Sequence, residues 1–400
     1  MQSQLFEPDG PGEHPAPPGA PVWSVRFHDG TEQRFGEGTP CFTFYVPTRQ
    51  AFQSLLATDV YSAATAFVRG QFDVKGDLEA AIRFKGWQPR SGLRKHLFGA
   101  IAGWAAALET AFQTEAQAAD NIRFHYDRSN DFYRLFLDPR MVYSCAYFRS
   151  PDTTLEDAQL AKLSHICRKL DLHPGERFLD VGCGWGALVR HAAVQYGAVA
   201  TGCTLSRAQY AYAIAGLDSG AQFLECDYRN LDGRYDKIAS VGMFEHVGRR
   251  RAHGYFRKMA DLLAPNGLVL NHAIARAQGV RDDAASLFLR RHIFPGGQLI
   301  QLWETIRAAE DSGFEVLDVE SLRPHYALTC RRWEQRLTEN REAALQLVDE
   351  ATFRAWRIWL AASALSFEEG FSSVYQVLMS KRGAPRPLLT RESMYSDPAP

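Results

Sequence analysis

The chain has 400 residues, 46% hydrophobic and 23% charged, with a formal net charge of -1. That is enough apolar material for one large domain and a smaller one, and the near-neutral balance supplies no global field for nucleic acid, so any pull towards an anionic surface is local. Seven cysteines stand singly without a C-x-x-C pair, which suggests neither a zinc site nor a disulfide framework and fits a reducing cytoplasm.

Residues 1–21 are rich in Pro and Gly without periodicity and read as a tail. They hold no basic segment followed by an apolar one, and no uninterrupted run reaches membrane-spanning length. The expected location is therefore the cytoplasm, peripherally on the inner membrane face. From Trp23 to Tyr45 the pattern alternates, with Asp29-Gly30 as a hairpin signal. Helical periodicity follows over Thr48–Leu56 and Tyr61–Val68, giving a small α+β domain over 22–83. Residues 84–120 carry Arg90, Arg94, Lys95 and His96 among Trp87, Leu93, Leu97, Phe98, Ile101 and Trp104. Such a basic, aromatic-bearing helix either lies on an anionic membrane or is a linker docking its apolar side on the next domain. From Asn121 to Phe148 the chain is crowded with Tyr, Phe, Asn and Asp, a mixture expected of a pocket lid more than of plain core.

Thr154–Leu170 reads as a helix, and an alternating βα series begins after Pro174-Gly175. Its first strand runs into the sequence FLDVGCGWG, Phe178–Gly186, followed by an apolar-periodic helix. Strand, tight loop and helix N-terminus together offer free N–H groups to a polar ligand. The spacing Gly182, Gly184, Gly186 is not the G-x-G-x-x-G of dinucleotide binders; with Asp180 before it, it suits a nucleoside carrying an amino-acid tail. Further strands are expected at Val199–Leu205, Ala221–Glu225, Tyr235–Val241, Leu268–His272, Phe314–Val319 and Ser372–Met379. Helices are expected at Arg207–Ala215, His253–Leu263, Thr329–Val348 and Phe353–Leu365. Asp180, Ser206, Asp227, Glu245 and His272 all fall at the carboxyl ends of strands, where such sheets bind ligands. An insertion spans Arg276–Arg307, the catalytic domain is expected over 121–382, and 383–400 reads as a tail.

Several stretches occur together and in order: HYDRSNDFY (His125–Tyr133), MVYSCAY (Met141–Tyr147), LDVGCGWG (Leu179–Gly186) and GCTLSRAQ (Gly202–Gln209). FEHVG (Phe244–Gly248), IFPGG (Ile293–Gly297) and Pro324-His325-Tyr326 with Trp333 follow. In these the chain resembles the cyclopropane-fatty-acyl-phospholipid synthases and the related mycolic acid cyclopropane synthases, over roughly residues 25–382. The resemblance implies a Rossmann-like class I methyltransferase fold, a mostly parallel seven-stranded sheet with helices on both faces. It implies S-adenosyl-L-methionine as methyl donor, with Asp180, Gly182 and Gly184 at the methionine end and Tyr143 and Ser144 closing over it. Thr204 and Gln209 would bind the ribose, and Asp227 and Tyr228 would flank adenine. Cys145 and Ile274 (through their backbones), Glu245, His272 and Tyr326 would hold bicarbonate as the base, and Tyr126, Phe148 and Tyr326 would face a cationic chain. No metal is implied. The expected partners are unsaturated phospholipid acyl chains at a membrane surface, with a second copy of the chain as a candidate. Gly70 and Gly76-Asp77-Leu78 resemble the small domain of the phospholipid-acting branch, which the mycolic enzymes lack. Arg128-Ser129 stands where many relatives carry a small residue and Gly. Relatives with this core also make 10-methylene, methyl-branched or methoxy products. On residues alone, His246 reads as structural, and His272 and Tyr326 as ordinary core.

Overall fold

A computed structural model describes residues 21–56, 60–84, 129–215, 220–279, 299–385 and 390–395. These form two compact units. The smaller takes in the described N-terminal residues together with 348–362; the larger takes in the described residues of 129–279, 299–347 and 363–395.

In the smaller unit, β1 (Trp23–Phe27), β2 (Glu32–Phe35), β3 (Phe42–Val46) and β4 (Asp73–Gly76) form a sheet in the order β2-β1-β3-β4. The hairpin at Asp29-Gly30 forms as expected: Gly30 has φ +87° and its N–H donates to the Phe27 carbonyl. Helices α1 (Arg49–Leu56), α2 (Val60–Val68) and α3 (Leu78–Ile82) follow the strands. Alternate residues Trp23, Val25 and Phe27 point one way and meet Phe42, Phe44 and Phe52, with Trp23 stacked on Phe35 at 3.9 Å. Strand β4 was not anticipated, because Gly70 and Gly76 mask its four residues. Residues 348–362 lay within the expected catalytic domain, yet Ala361 enters this core. Arg354 donates to Asp73 and to the carbonyls of Phe67 and Phe72.

The larger unit opens with a short helix α4 (Asn130–Arg134) and the long α5 (Leu155–Lys169), capped by the Thr154 side chain. Then come β5 (Arg177–Val181), α6 (Ala187–Tyr196), β6 (Val199–Thr204), α7 (Arg207–Ala215), β7 (Gln222–Glu225), β8 (Tyr235–Val241), α8 (Ala252–Leu262) and β9 (Leu263–Arg276). The chain continues through α9 (Leu302–Glu310), β10 (Phe314–Ser321), α10 (Arg323–Glu339), α11 (Arg341–Leu345), α12 (Glu350–Glu368), β11 (Ser372–Lys381) and α13 (Glu392–Tyr395).

The sheet order is β10-β11-β9-β8-β5-β6-β7. The five strands from β7 to β9 are parallel, and β11 and β10 pair antiparallel to their neighbours. Both sheet faces are covered, as period-two alternation requires. On β9, Leu268 and Leu270 pack with α5 and α6, whereas Val269 packs with α8 and α9. This is the expected class I methyltransferase architecture.

Three local expectations are corrected. A helix ending at Leu263 and a strand starting at Leu268 imply a turn at Pro265-Asn266-Gly267, but none separates α8 from β9; the ladder jumps from Tyr235↔Leu263 to Lys237↔Leu268, so these residues bulge out of one continuous strand. His325 and Tyr326 do not precede the helix but lie in the first turn of α10, where Pro324 is tolerated because the first N–H groups have no intrahelical partner. Phe132, Tyr133 and Phe136 are fully buried core instead of a lid, their rings meeting Tyr143, Trp185 and Trp333.

Candidate active site

Strand β5 lies between β6 and β8, and its carboxyl end turns through Gly182, Gly184 and Gly186, with φ of +81°, +54° and +86°. The N–H groups of Gly182 and Cys183 both donate to the Cys203 carbonyl, pinning the loop to β6. A Cβ at Gly182 would stand 2.8 Å from Met243 Cβ, and one at Gly186 2.5 Å from Phe223 Cε1. At Gly184 no atom of the described residues, its chain neighbours aside, lies within 4 Å of that point, which leaves backbone accessible to a ligand. Trp185 is held by Asn130, whose Oδ1 accepts the indole N–H at 2.8 Å. That bond explains an asparagine in the aromatic segment.

All nine residues expected at the methyl donor line one cavity: Tyr143, Ser144, Asp180, Gly182, Gly184, Thr204, Gln209, Asp227 and Tyr228. Asp180 is buried, and its Oδ1 has no partner among the described residues. Burial pushes its carboxyl up to about 7, against the opposing pull of the Lys162 charge. Thr204 Oγ1 donates to Gln209 Oε1 at 2.8 Å, so these two form one polar unit at the end of β6. Asp227 accepts from Arg229 through Nε and Nη2. Burial works to raise its carboxyl, but the Arg229 bonds and charge win, and it lies below the ordinary value.

The second expected group assembles where β8 and β9 end. Glu245 lies in a 3-10 turn after β8, and its Oε1 accepts the Ile274 N–H at 2.7 Å. The Ile274 amide assigned to bicarbonate is thus engaged by Glu245 here. Burial pushes Glu245 up to about 7. Two residues earlier on β9, His272 Nδ1 bonds Gln376 Nε2 at 3.2 Å across the antiparallel pair with β11. That contact makes Nδ1 the acceptor and leaves the ring proton on Nε2. Burial first, then the Lys162 and Lys169 charges, lower His272 to about 3, so it is neutral. Glu245 Oε2 and His272 Nε2 are both buried without a protein partner among the described residues. Ile274 and Tyr326 pack against Cys145, Leu322 and Val374, and Tyr326 stacks on Phe367 at 4.5 Å. The Cys145 thiol is wholly buried and pushed well above its ordinary value by desolvation, which leaves it inert as a nucleophile. All five expected residues are therefore linked by direct contact or adjacent register. Phe148 is buried, and its N–H donates to His325 Nδ1. Tyr126, the IFPGG stretch and the basic segment after Phe84 lie outside the described residues.

Sequence reasoning missed Lys162, Arg229 and Arg251, which also line the cavity, and took His246 as structural although it lines the cavity too. Arg229, two residues after Asp227, had a local signal. Lys162 had none: on an amphipathic helix it reads as a solvent-facing cation.

A donor-side cavity at the carboxyl end of a class I sheet, with an orphaned acid beside a glycine loop, defines a methyltransferase. Residues 113–377 match the family described as mycolic acid cyclopropane synthetase. A "Probable fatty acid methyltransferase" of Pseudomonas putida is 39% identical over 385 residues, covering 93% of this chain and 95% of that protein. The cyclopropane synthase MmaA2 of Mycobacterium tuberculosis superposes with a TM-score of 0.64 at 34% identity, covering 66% of this chain and 98% of that one. The mycolic acid cyclopropane synthase CmaA1, solved with S-adenosylhomocysteine (SAH) and CTAB, gives 0.63 at 35% identity, covering 66% of this chain and 98% of that one. The chain belongs to this family, and it is an S-adenosylmethionine-dependent methyltransferase.

Proposed function

We propose that this enzyme adds a methylene bridge across the cis double bond of unsaturated acyl chains in membrane phospholipids. The observation that carries the reading is the pair of buried polar atoms without a partner among the described residues, Glu245 Oε2 and His272 Nε2; Glu245 bonds Ile274 of the apolar cluster, and the His272 carbonyl accepts the N–H of Gly242, which lines the methyl-donor cavity. An isolated double bond is a weak nucleophile, so the sulfonium methyl that the cofactor supplies must be presented to it in a dry, oriented pocket. Methyl transfer leaves a cation on the acyl chain, and the face of Tyr326 is suited to stabilise it. Ring closure then needs a proton taken from the new methyl.

The residues present fit bicarbonate at this point. Neutral His272 offers an Nε2–H donor, and Glu245, poised near neutrality, can accept or share a proton. Held by Glu245, His272 and Tyr326, bicarbonate would supply a small base in a pocket that admits no bulky one. Among the described residues no helix is long and apolar enough to cross a membrane, so the lipid would be met at a surface. The basic stretch over 84–120 is the segment proposed to meet it.

A second reading follows from the relative named fatty acid methyltransferase: the same methyl transfer with the cation resolved by loss of a proton to a base, giving a 10-methylene or a still-unsaturated methyl-branched chain. Incubation with labelled S-adenosylmethionine and unsaturated phospholipid vesicles, followed by fragmentation of the lipid product, separates ring from branch. Label transferred only to small soluble acceptors defeats both readings.

A further inference from the structure

The cofactor's methionine tail is a zwitterion, and the cavity holds one buried anion and one buried cation at that end. The anion is Asp180. Lys162 projects from α5, is 2% exposed, and lines the same cavity. Its Nζ donates to Ser144 Oγ at 2.8 Å, the one hydrogen bond it makes among the described residues. An ammonium carries three donors, so two remain for a ligand. Three residues earlier on the helix, Gln159 Nε2 donates to the Ser144 carbonyl at 2.9 Å and fixes the loop that presents Ser144. The cavity's other cations sit elsewhere: Arg229 is committed to Asp227 through two bonds, and Arg251 also acts on Asp227, at the end of β7. The carboxylates acting on Lys162 are Asp138 and Asp180, and Lys162 is the lysine or arginine among the described cavity residues at this end.

We propose that Lys162 is the receptor for the methionine carboxylate of the methyl donor, working with the Ser144 hydroxyl, while Asp180 takes the ammonium. Lys162 thereby reads the amino-acid tail and not the adenosine. A buried lysine is costly to leave unpaired, and burial accordingly lowers it to about 8, with Asp138 pulling the other way. A ligand carboxylate supplies the missing partner and draws the proton back.

The test compares three ligands by calorimetry on the full chain: SAH, its decarboxylated analogue, and 5′-methylthioadenosine, which has no tail. Lys162→Met is expected to weaken SAH by about 10- to 100-fold, the worth of a charge-assisted bond. It should leave 5′-methylthioadenosine unchanged and abolish the preference for SAH over the decarboxylated analogue. Lys162→Arg should retain part of that preference. Equal weakening of all three ligands would mean that Lys162 only props the loop, and unchanged SAH affinity would mean that it does not touch the tail; either result overturns the assignment. Wild-type protein gives a check that survives a misfolded variant. At pH 8, in buffers of different ionisation enthalpy, SAH should take up more protons on binding than the decarboxylated analogue does. Equal uptake by the two ligands refutes the pairing.

Discussion

Glu245→Gln separates what this side chain does for the fold from what it does for the reaction. Glutamine matches the shape and keeps an oxygen to accept the Ile274 N–H, but it carries no titratable proton. Burial raises the Glu245 carboxyl from 4.5 to about 7, and each tenfold change in proton affinity is worth about 1.4 kcal/mol. Below pH 4.5 the group is neutral in both folded and unfolded chains and costs nothing. Between 4.5 and 7 the unfolded chain releases the proton while the folded one keeps it, so stability falls as pH rises. Above 7 the penalty is fully developed at about 3 kcal/mol. The variant should therefore melt several degrees above wild type at pH 8 in CO2-free buffer, with the gap closing towards pH 5. Turnover on unsaturated phospholipid should drop by about 100-fold or more, the usual worth of an acid–base group, while SAH binding persists. A pH-independent melting difference would refute the buried-carboxyl argument. Turnover near wild type would refute the catalytic one.

Other consequences can be checked separately. Asp180 holds its proton up to about pH 7, so SAH affinity should tighten as pH rises from 6 to 8, and Asp180→Asn should bind weakly and without that slope; a steep slope in the variant assigns the titration elsewhere. Gly186→Ala places a methyl 2.5 Å from Phe223 Cε1 in a left-handed conformation, and soluble yield and melting temperature should both fall, whereas Gly184→Ala should fold and lose cofactor affinity. Lys169 is fully buried, 2.6 Å from Glu320 and 3.1 Å from Asp318, so Lys169→Met leaves Asp318 with Arg391 and Glu320 with His165 as their remaining partners and should cost about 3–5 kcal/mol; a thermal midpoint near wild type would show that those two partners suffice.

The parallel strands were legible because strands covered on both faces read as short apolar runs between turn signals, and their carboxyl ends could be named from the alternation alone. Spacing in the glycine loop points by itself to a nucleoside with a tail. Elements whose sequence signal depends on context were misread. Pro265-Asn266-Gly267 is a genuine turn signal, absorbed as a bulge because the flanking residues both pair with β8. The aromatic segment looked like a lid because Asn and Asp seemed out of place in core, yet Asn130 is there to hold Trp185. Helix α5 hid most. Gln159, Lys162, His165 and Lys169 form a polar stripe at helical spacing that any amphipathic reading turns towards water. The structure buries all four, against the loop at 142–144 on one side and against Asp318 and Glu320 on the other. Burial of a charged stripe depends on partners some 15 to 155 residues away, which local periodicity cannot encode.

The most direct test of the central claim is to give the purified enzyme S-adenosylmethionine labelled in its methyl group, together with vesicles of a cis-unsaturated phospholipid. The product is then read by mass spectrometry with and without added bicarbonate. The account predicts one labelled CH2 per modified acyl chain, loss of the double bond, fragments diagnostic of a three-membered ring, and a rate that rises with bicarbonate. Labelled chains bearing an exomethylene or methyl branch, or no label in lipid at all, would contradict it.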